Sequence, residues 1–399
     1  METAIEATKR SVGKKFKKSW GEDDGNPRHV YKKQRTNRVG IKTKKQRTDR
    51  VGIGRRKQRT DSVGIETKKQ RNNRVGIEIE QLDEDQKAAK EQKELFEAKK
   101  LSLVLDLDHT LLQSAAFEEI SRVEDQQMLK NKMKKDRKKA ERRDLFCHMY
   151  LGRWIKLRPG IWNFLEEASK LYKLHICTMG HTNYAKATAK LLDPTGELFE
   201  GRVISTFGNK HKDLNGVLGM KSTAIIIDDT VSVWPHHTEN LILVDRYKYF
   251  PYGTQHLGIP RNEQTDGVLD SSLKQIERIH STFFSNPLSL LNEMDVTSIL
   301  AAEKCKVLAG CHVQFTAHVI VPEWMDNPEK HPLWQTALQL GATCTTEKEA
   351  CVTHVVSNRN GTGRVKGALA TGRFAVSTRW IEAAAFLLRK PNESDFVIT

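Results

Sequence analysis

The sequence predicts an α/β protein whose main domain is built on a parallel β-sheet. Short apolar runs of strand length recur between residues 101 and 244, and helix-like stretches separate them. The first run, Leu101–Leu105, resembles a strand that is buried on both faces. Strands that alternate with helices are typical of a parallel sheet covered by helices. A smaller α/β region and a basic N-terminal tail complete the predicted organisation.

The elements of the main domain follow from these patterns. A Glu/Lys/Ala-rich helix over residues 81–100 leads into the first strand at 101–106. The helices Ile161–Leu171 and Asn183–Leu192 are amphipathic, and Thr182 is a plausible N-cap of the second. The later predicted strands are Leu174–Cys177, Val203–Ile204, Ala224–Ile227 and Leu241–Val244. The insert Glu124–Arg143 is polar all round, which favours a solvated helix or a mobile loop.

Residues 1–92 are predicted to be a disordered basic tail. The 399-residue chain has a formal charge of +16, and residues 1–79 hold 24 Lys and Arg against 9 Asp and Glu. Residues 32–79 contain four copies of a 12-residue repeat, of which the first is KKQRTNRVGIKT. Each copy has only Val and Ile as apolar residues, too few to offset chain entropy. The tail is either a solubilising segment or one that binds polyanions or nuclear-import receptors.

Composition also excludes several classes of protein. No segment approaches 18 continuous apolar residues, so we expect a soluble protein with no membrane partner. The six cysteines form no C-x-x-C pair, and neither a metal-binding spacing nor a disulfide framework is indicated. Reduced thiols in an intracellular protein are expected.

Two carboxylates, Asp106 and Asp108, stand at the end of the apolar first strand. Thr178 follows the strand LHIC, and the pair Asp228-Asp229 follows the strand AIII. Lys212 lies in the loop after the strand RVIS. Because the carboxyl ends of parallel strands meet at one edge, these groups are expected to converge there.

That constellation predicts phosphoryl chemistry. Buried carboxylates need compensation, which Lys212 and a divalent cation can supply. Oxygen ligands favour Mg²⁺, which takes one or two carboxylates and leaves room for phosphate oxygens. A metal flanked by Lys and Thr suits the neutralisation of a phosphoryl group. One carboxylate can attack phosphorus while the second handles the proton of the alcohol.

Five stretches carry a family resemblance: LDLDHTLL, LRPGIWNFLEEAS, HICTMGHTNYA, KDLNGVLG and AIIIDDTVSVWPHH. They resemble the haloacid-dehalogenase-type phosphatases that act on the C-terminal domain of RNA polymerase II, and plant C-terminal-domain phosphatase-like proteins most of all. The resemblance covers roughly residues 98–285. It implies a haloacid-dehalogenase-like (Rossmann-like) phosphatase domain over 93–285, and it places the protein in the nucleus as a regulator of transcription.

The resemblance also implies residue roles. Asp106 matches the family's nucleophile, and Asp108 matches its general acid and base. Thr178 and Lys212 match the residues that hold the phosphate. The implied substrate is the phosphorylated heptad repeats of the polymerase, attacked at serine through an aspartyl-phosphate.

The implied metal site draws on the same residues. In the family, Mg²⁺ is held by the first aspartate, here Asp106, and by the backbone carbonyl of the second, here Asp108. A carboxylate from the last motif completes the protein ligands and corresponds to Asp229. Asp228 would support that ligand.

The region Ala301–Phe396 resembles a BRCT domain, with Gly310, Gly341-Ala342, Thr353-His354 and Trp380 in the expected order. A BRCT domain follows the phosphatase domain in the same family, and here it is predicted over 298–399. Asn286–Asp295 is predicted to connect the two domains. The BRCT domain is expected to bind the polymerase or other nuclear phosphoproteins.

One departure from the family leaves alternatives open. An Arg followed by an acidic residue is usual after the third strand, whereas this chain reads STFGNKHK over 205–212. A catalytically weak pseudophosphatase that serves as a nuclear phosphoprotein-binding module is therefore the alternative function. A small-metabolite phosphatase is a third, against which the BRCT-like region and the lack of a sizeable cap domain argue.

Overall fold

The computed structural model describes residues 86–136, 142–214, 221–250, 267–324 and 326–398. Residues 1–85 of the predicted tail, with the repeats at 32–79, lie outside the described residues, so their disorder and their partners stay predictions. Residues 86–92, which were predicted as part of the disordered tail, instead begin a helix over 86–97. No helix among the described residues is long and apolar enough to cross a membrane.

The secondary structure of the described residues alternates between strands and helices. The strands are β1 (Leu101–Leu105), β2 (Leu112–Ala116), β3 (Leu145–His148), β4 (Arg153–Leu157), β5 (Tyr172–Thr178), β6 (Val203–Ser205), β7 (Ala224–Asp228), β8 (Leu241–Leu243), β9 (His312–Phe315), β10 (Thr343–Thr345), β11 (His354–Val356) and β12 (Phe374–Val376). The helices are α1 (86–97), α2 (Val123–Asp136), α3 (Ile161–Leu171), α4 (Thr182–Leu192), α5 (Val268–Phe284), α6 (Val296–Cys305), α7 (Pro332–Gln339), α8 (Gly363–Ala370) and α9 (Arg379–Leu387).

The main sheet has five parallel strands in the order β6-β5-β1-β7-β8. The central strand β1 is buried at all five positions, as its continuous apolar sequence predicts. Helices α3 and α5 bury Phe164, Leu165 and Ile276 in the core on one face of this sheet. The predicted fold class is confirmed.

The start of α4 corrects one prediction. Thr182 is the first residue of the helix and not its cap. The N-cap is His181, whose Nδ1 accepts a hydrogen bond from the backbone N–H of Asn183 at 3.2 Å. An imidazole nitrogen thus takes the place of the hydroxyl acceptor that usually satisfies the first turn.

The chain between β1 and α3 forms a small antiparallel sheet, in the order β2-β4-β3. The predicted insert Glu124–Arg143 lies between β2 and β3 and supplies most of α2. The prediction that the insert is polar all round is wrong at Leu129, which is 1% exposed. Leu129 belongs to a small apolar cluster with Leu145 and Trp154. Leu129, with Met133 packed against the same cluster, therefore docks this charged helix on the sheet.

The C-terminal region has its own parallel sheet, in the order β10-β9-β11-β12. Its core contains Phe315 stacked on Trp334, and Trp380 is fully buried. Gly341 adopts φ +89°, and a Cβ at this position would lie 1.8 Å from the carbonyl oxygen of Cys305. This close approach, together with the positive φ, explains why a glycine follows the C-terminal end of α7.

Helix α6 joins the two regions. Its Ile299 and Leu300 lie in the apolar core of the main domain, and Lys304 Nζ donates to the carbonyl of Leu241 at 2.8 Å. The predicted boundary at residue 298 falls inside this helix. The predicted connector also contributes to the core, because Leu291 is buried in it.

Candidate active site

Asp106 stands at the carboxyl end of the central strand. Its backbone N–H donates to the carbonyl of Ile227 at 3.1 Å, which extends the pairing of β1 with β7 by one residue. The turn that follows is fixed at His109, where φ is +68°. The N–H of His109 donates to Leu112 O at 2.6 Å, and its Nδ1 lies 2.9 Å from Tyr247 O. Both aspartates are therefore presented from a rigid loop.

Lys212 bridges two carboxylates from different strands. Its Nζ donates to Asp106 Oδ1 at 2.5 Å and to Asp228 Oδ2 at 2.6 Å. The three side chains are 2%, 7% and 1% exposed for Lys212, Asp106 and Asp228. Asp228 also accepts from Trp234 Nε1 and from the backbone N–H of Thr230, both at 2.8 Å. Ion pairs as buried as these depend on such additional hydrogen bonds.

The charges of this cluster shift one another's pKa values. Burial raises the pKa of Asp106 to about 8, and the negative charge of Asp228 adds to this effect while Lys212 opposes it. Burial also lowers the pKa of Lys212, but the two carboxylates outweigh it and hold the pKa above its ordinary value. Lys212 therefore stays protonated, whereas burial opposes the ionised form of Asp106 in spite of this neighbouring cation.

A third carboxylate, Asp229, completes the acidic group. Carboxylate oxygens of Asp106, Asp228 and Asp229 lie within 4.8 Å of one another. Burial raises the pKa of Asp229, against the opposing charge of the half-exposed Arg246. Arg246 Nε lies 3.2 Å from Asp229 Oδ2. Clustered oxygen donors with excess negative charge and little solvent fit a hard divalent cation.

Asp108 lies outside that acidic group and has hydrogen-bond partners of its own. Its Oδ1 accepts from Tyr184 Oη at 2.6 Å and from Ser114 Oγ at 3.1 Å. Burial, and then the charge of Asp108, raise the pKa of Tyr184 well above its usual value, so the phenol remains a donor. Arg153 Nε donates to Ser114 Oγ at 3.2 Å. The two aspartates of the motif thus have different partners, which allows them different chemistry.

Thr178 ends β5 beside this cluster. It lies two residues beyond Ile176, which pairs with Leu105 of the central strand. Thr178 Oγ1 accepts from the backbone N–H of Gly180 at 3.1 Å, and the residue is 1% exposed. The structure therefore brings the four sequence motifs to one edge of the sheet. Asp213, the neighbour of Lys212, points away and lies 3.4 Å from His237 Nε2.

Sequence reasoning missed three residues of the site. Tyr184 and Trp234 lie within stretches that carry the family resemblance, and they contact Asp108 and Asp228 directly. Because they lie in those stretches, the sequence could have indicated both as candidate site residues. Arg246 follows the last strand of the sheet and had no comparable signal, because only the fold brings it to Asp229.

Comparisons with known proteins agree with this geometry. The family model described as NLI interacting factor-like phosphatase matches residues 101–260. RNA polymerase II C-terminal domain phosphatase-like 4 of Arabidopsis thaliana is 37% identical over 310 residues, which cover 75% of this chain and 70% of that protein. The chain belongs to the RNA polymerase II C-terminal domain phosphatase-like family. The predicted resemblance is confirmed.

A second family member matches over a smaller share of its length. RNA polymerase II C-terminal domain phosphatase-like 3 of Arabidopsis thaliana is 50% identical over 329 residues, covering 77% of this chain. The match covers only 26% of that relative's own length. Activity, substrate and partners are therefore taken up as proposals below.

The fold is shared with a solved member of the family. The structure of fission yeast RNA polymerase II CTD phosphatase Fcp1, bound to beryllium fluoride, has a TM-score of 0.58 at 24% identity. It covers 78% of this chain and 99% of the solved chain. This likeness concerns the fold, which includes the C-terminal region as well as the main domain.

Proposed function

We propose that the protein is a nuclear, Mg²⁺-dependent protein-serine phosphatase that acts on the phosphorylated C-terminal heptad repeats of RNA polymerase II and so regulates transcription. The observation that carries the proposal is the bridge from Lys212 to Asp106 and Asp228. This bridge holds a buried nucleophile and a phosphate-binding cation in contact before substrate arrives. Such preorganisation is the main source of catalysis in phosphoryl transfer.

In the first step Asp106 attacks phosphorus. The bond from phosphorus to the serine oxygen breaks as the bond to the Asp106 carboxylate forms, and an aspartyl-phosphate results. Lys212 and the hydroxyl of Thr178 donate hydrogen bonds to the phosphoryl oxygens. Asp108 gives its proton to the departing serine oxygen.

In the second step water releases the phosphate. Asp108, now ionised, takes a proton from water, whose oxygen attacks the phosphorus of the aspartyl-phosphate. Asp106 is regenerated and inorganic phosphate leaves. Tyr184 keeps the Asp108 carboxyl in place through its 2.6 Å hydrogen bond, so one group can serve both steps.

Mg²⁺ would be held by Asp106 and Asp229, by the backbone carbonyl of Asp108, and with the support of Asp228. When bound, the metal would neutralise phosphoryl oxygens and supply positive charge that favours the ionised form of Asp106. Asp228 already accepts from Lys212, Trp234 and Thr230. It is therefore better placed to orient this site than to donate to the metal directly.

The family members' names support the substrate, since they are called RNA polymerase II C-terminal domain phosphatase-like. The alternative remains a catalytically weak pseudophosphatase that binds nuclear phosphoproteins. Its motivation is the loop at 205–212, which lacks the family's Arg. The complete set of Asp106, Asp108 and Lys212 favours the enzyme.

The proposed docking partners are phosphoproteins bound by the C-terminal region. A cleft of about 480 Å³ lies beside the start of α8. Thr316 Oγ1 is buried beside it without a hydrogen-bond partner among the described residues. Three cationic side chains, Lys348, Arg364 and Arg373, line the same cleft. An unsatisfied hydroxyl and several cations match the needs of a phosphate group. Lys366, which lies on the same helix α8, is not among the lining residues.

The test of the catalytic proposal uses the full chain and a phosphoserine heptad peptide. Wild type should release phosphate only with Mg²⁺, and Asp106→Asn should abolish release because no phosphoenzyme can form. Asp108→Asn should slow turnover of the peptide by about 10²–10⁴-fold. With p-nitrophenyl phosphate, whose leaving group needs little protonation, the same variant should accumulate a hydroxylamine-sensitive adduct on Asp106. Retained peptide binding by a wild-type chain that turns over neither peptide nor p-nitrophenyl phosphate would instead establish the pseudophosphatase.

A further inference from the structure

Arg153 lies beside Asp108 and belongs to the small antiparallel sheet. It is the first residue of β4, and its side chain is half-buried. Its Nε donates to Ser114 Oγ at 3.2 Å, and Ser114 Oγ in turn donates to Asp108 Oδ1 at 3.1 Å. The guanidinium carbon also lies 5.9 Å from the ring centroid of Tyr184. Arg153 is therefore held two hydrogen bonds away from the Asp108 carboxylate.

The guanidinium of Arg153 has no carboxylate partner among the described residues. Its hydrogen bond to a side chain uses Nε, so within the described part of the chain the N–H groups of its Nη atoms find no acceptor. Two other arginines of the main domain are paired, Arg142 with Glu166 at 3.1 Å and Arg202 with Glu200 at 2.6 Å. A half-buried cation whose planar donors remain available suits an anionic ligand.

Under the proposed function the substrate peptide passes close to this cation. Asp108 gives its proton to the departing serine oxygen, so that serine lies within hydrogen-bond reach of Asp108. The residues on either side of the serine therefore extend from the neighbourhood of Asp108, to which Arg153 belongs. Asp108 still holds its proton when the substrate binds, and a neutral carboxyl group does not compensate the charge of Arg153 at that stage.

We propose that Arg153 forms an anion subsite that receives a second acidic group of the substrate peptide, either a phosphate or a carboxylate. The inference rests on the proposed function. Arg153 Nε is no further from Asp108 than the sum of two hydrogen-bond lengths. An extended peptide advances about 3.3 Å per residue, so an acidic group about two or three residues from the reacting phosphoserine can reach the Nη atoms. Multiply phosphorylated repeats are then the favoured substrates.

The test compares phosphoserine peptides that carry a second phosphoserine, a glutamate or a serine at one flanking position, about two or three residues away on either side. Mass spectrometry follows phosphate loss at the first phosphoserine. At one of these positions the kcat/KM of wild type for an acidic peptide should exceed that for the serine peptide by about 10-fold or more. Arg153→Met should abolish this preference, and Arg153→Lys, which keeps the charge, should retain part of it. Arg142→Met removes an arginine that pairs with Glu166 and is the matched control.

The same peptides are compared for affinity in the Asp106→Asn background, which does not depend on turnover. Loss of the preference on Arg153→Met would there support the subsite even if the proposed catalytic function failed. A preference for the second phosphoserine alone assigns the subsite to phosphate, and an equal preference for glutamate assigns it to acidic side chains in general. Equal affinity for all peptides, or an equal loss on every peptide in Arg153→Met, would overturn the inference. Loss of the preference in Arg142→Met would also overturn it, because general charge attraction would then account for the binding.

Discussion

The active site and the C-terminal cleft both present cations where a phosphate could bind, yet they differ in burial and in charge balance. Lys212 is 2% exposed and contacts two carboxylates. Arg364 is exposed, and among the described residues its Nη1 donates to two main-chain carbonyls, of Thr346 at 2.7 Å and of Phe315 at 3.4 Å. The described residues that line the cleft include no carboxylate.

The difference in burial and charge balance matches the roles proposed for the two regions, catalysis in the main domain and phosphate recognition in the cleft. Under the proposed function Asp106 is a nucleophile held out of solvent, and the cation that pairs with it is therefore buried as well. Recognition needs only accessible donors, which cost little to keep in water. Each prediction below tests whether the two regions are as different as this comparison requires.

The largest effect is expected from cutting the regions apart at the predicted boundary. A chain of residues 1–297 loses nearly all of α6, including Ile299 and Leu300 of the main core. Loss of each such side chain typically costs about 2–5 kcal/mol, so this chain should fail to fold cooperatively. Residues 1–306, which retain α6, should be markedly more stable in thermal unfolding. Equal melting temperatures for the two truncations would show that α6 does not belong to the main domain.

The next largest effect is expected at Lys212. Lys212→Met leaves Asp106 and Asp228 without their shared cation, which should lower the free energy of unfolding by about 3–5 kcal/mol and remove most activity. Adding Asp228→Asn should recover part of the stability but not the activity. Urea denaturation and phosphate release are the measurements. Lys366→Met, an exposed lysine on α8, should change neither; a stable Lys212→Met protein would contradict the buried ion-pair description.

The next effect is smaller and concerns the C-terminal cleft, where a substitution is expected to weaken phosphopeptide binding without loss of stability. Arg364→Ala should weaken binding of a phosphopeptide by about 10- to 100-fold, as for a lost hydrogen bond to a charged group. Hydrolysis of p-nitrophenyl phosphate should not change. Fluorescence polarisation of a labelled phosphopeptide and its unphosphorylated twin provides the measurement, with Lys366→Ala as the control. If Lys366→Ala weakened binding as much as Arg364→Ala, general charge rather than this cleft would account for binding.

The smallest effect is expected from a buried histidine of the main sheet. Burial lowers the pKa of His175 on β5 to about 3, against about 6.5 in an unfolded chain. Its neutral form is therefore favoured by folding, so stability is complete above pH 6.5 and falls as the pH drops below it. At pH 5.5 the free energy of unfolding should be lower than at pH 7 by roughly 1–1.5 kcal/mol. In the His175→Gln variant the free energy of unfolding, measured by urea denaturation, should decrease less between pH 7 and pH 5.5 than in wild type. The same decrease in both proteins would contradict the lowered pKa.

Local sequence determined much of this protein. The apolar run of β1 predicts a strand buried on both faces, and the charged residues at its end predict a site, because a parallel sheet exposes only its strand ends. The helix Ile161–Leu171 is predicted with its observed bounds, since Pro159-Gly160 opens it and apolar spacing continues to its end. For the same reason, the sequence alone is enough to propose Asp106, Asp108, Thr178 and Lys212 as site residues.

Only the tertiary structure decided which of these groups touch. Tyr184 lies 76 residues from Asp108 in sequence and Lys212 lies 106 from Asp106, and no periodicity reports contacts at such separations. The pairing of Arg246 with Asp229, and the place of α6 in the main core, likewise depend on how strands and helices pack. Amphipathic spacing shows that a helix has an apolar face, but many surfaces can cover that face, and packing alone selects one.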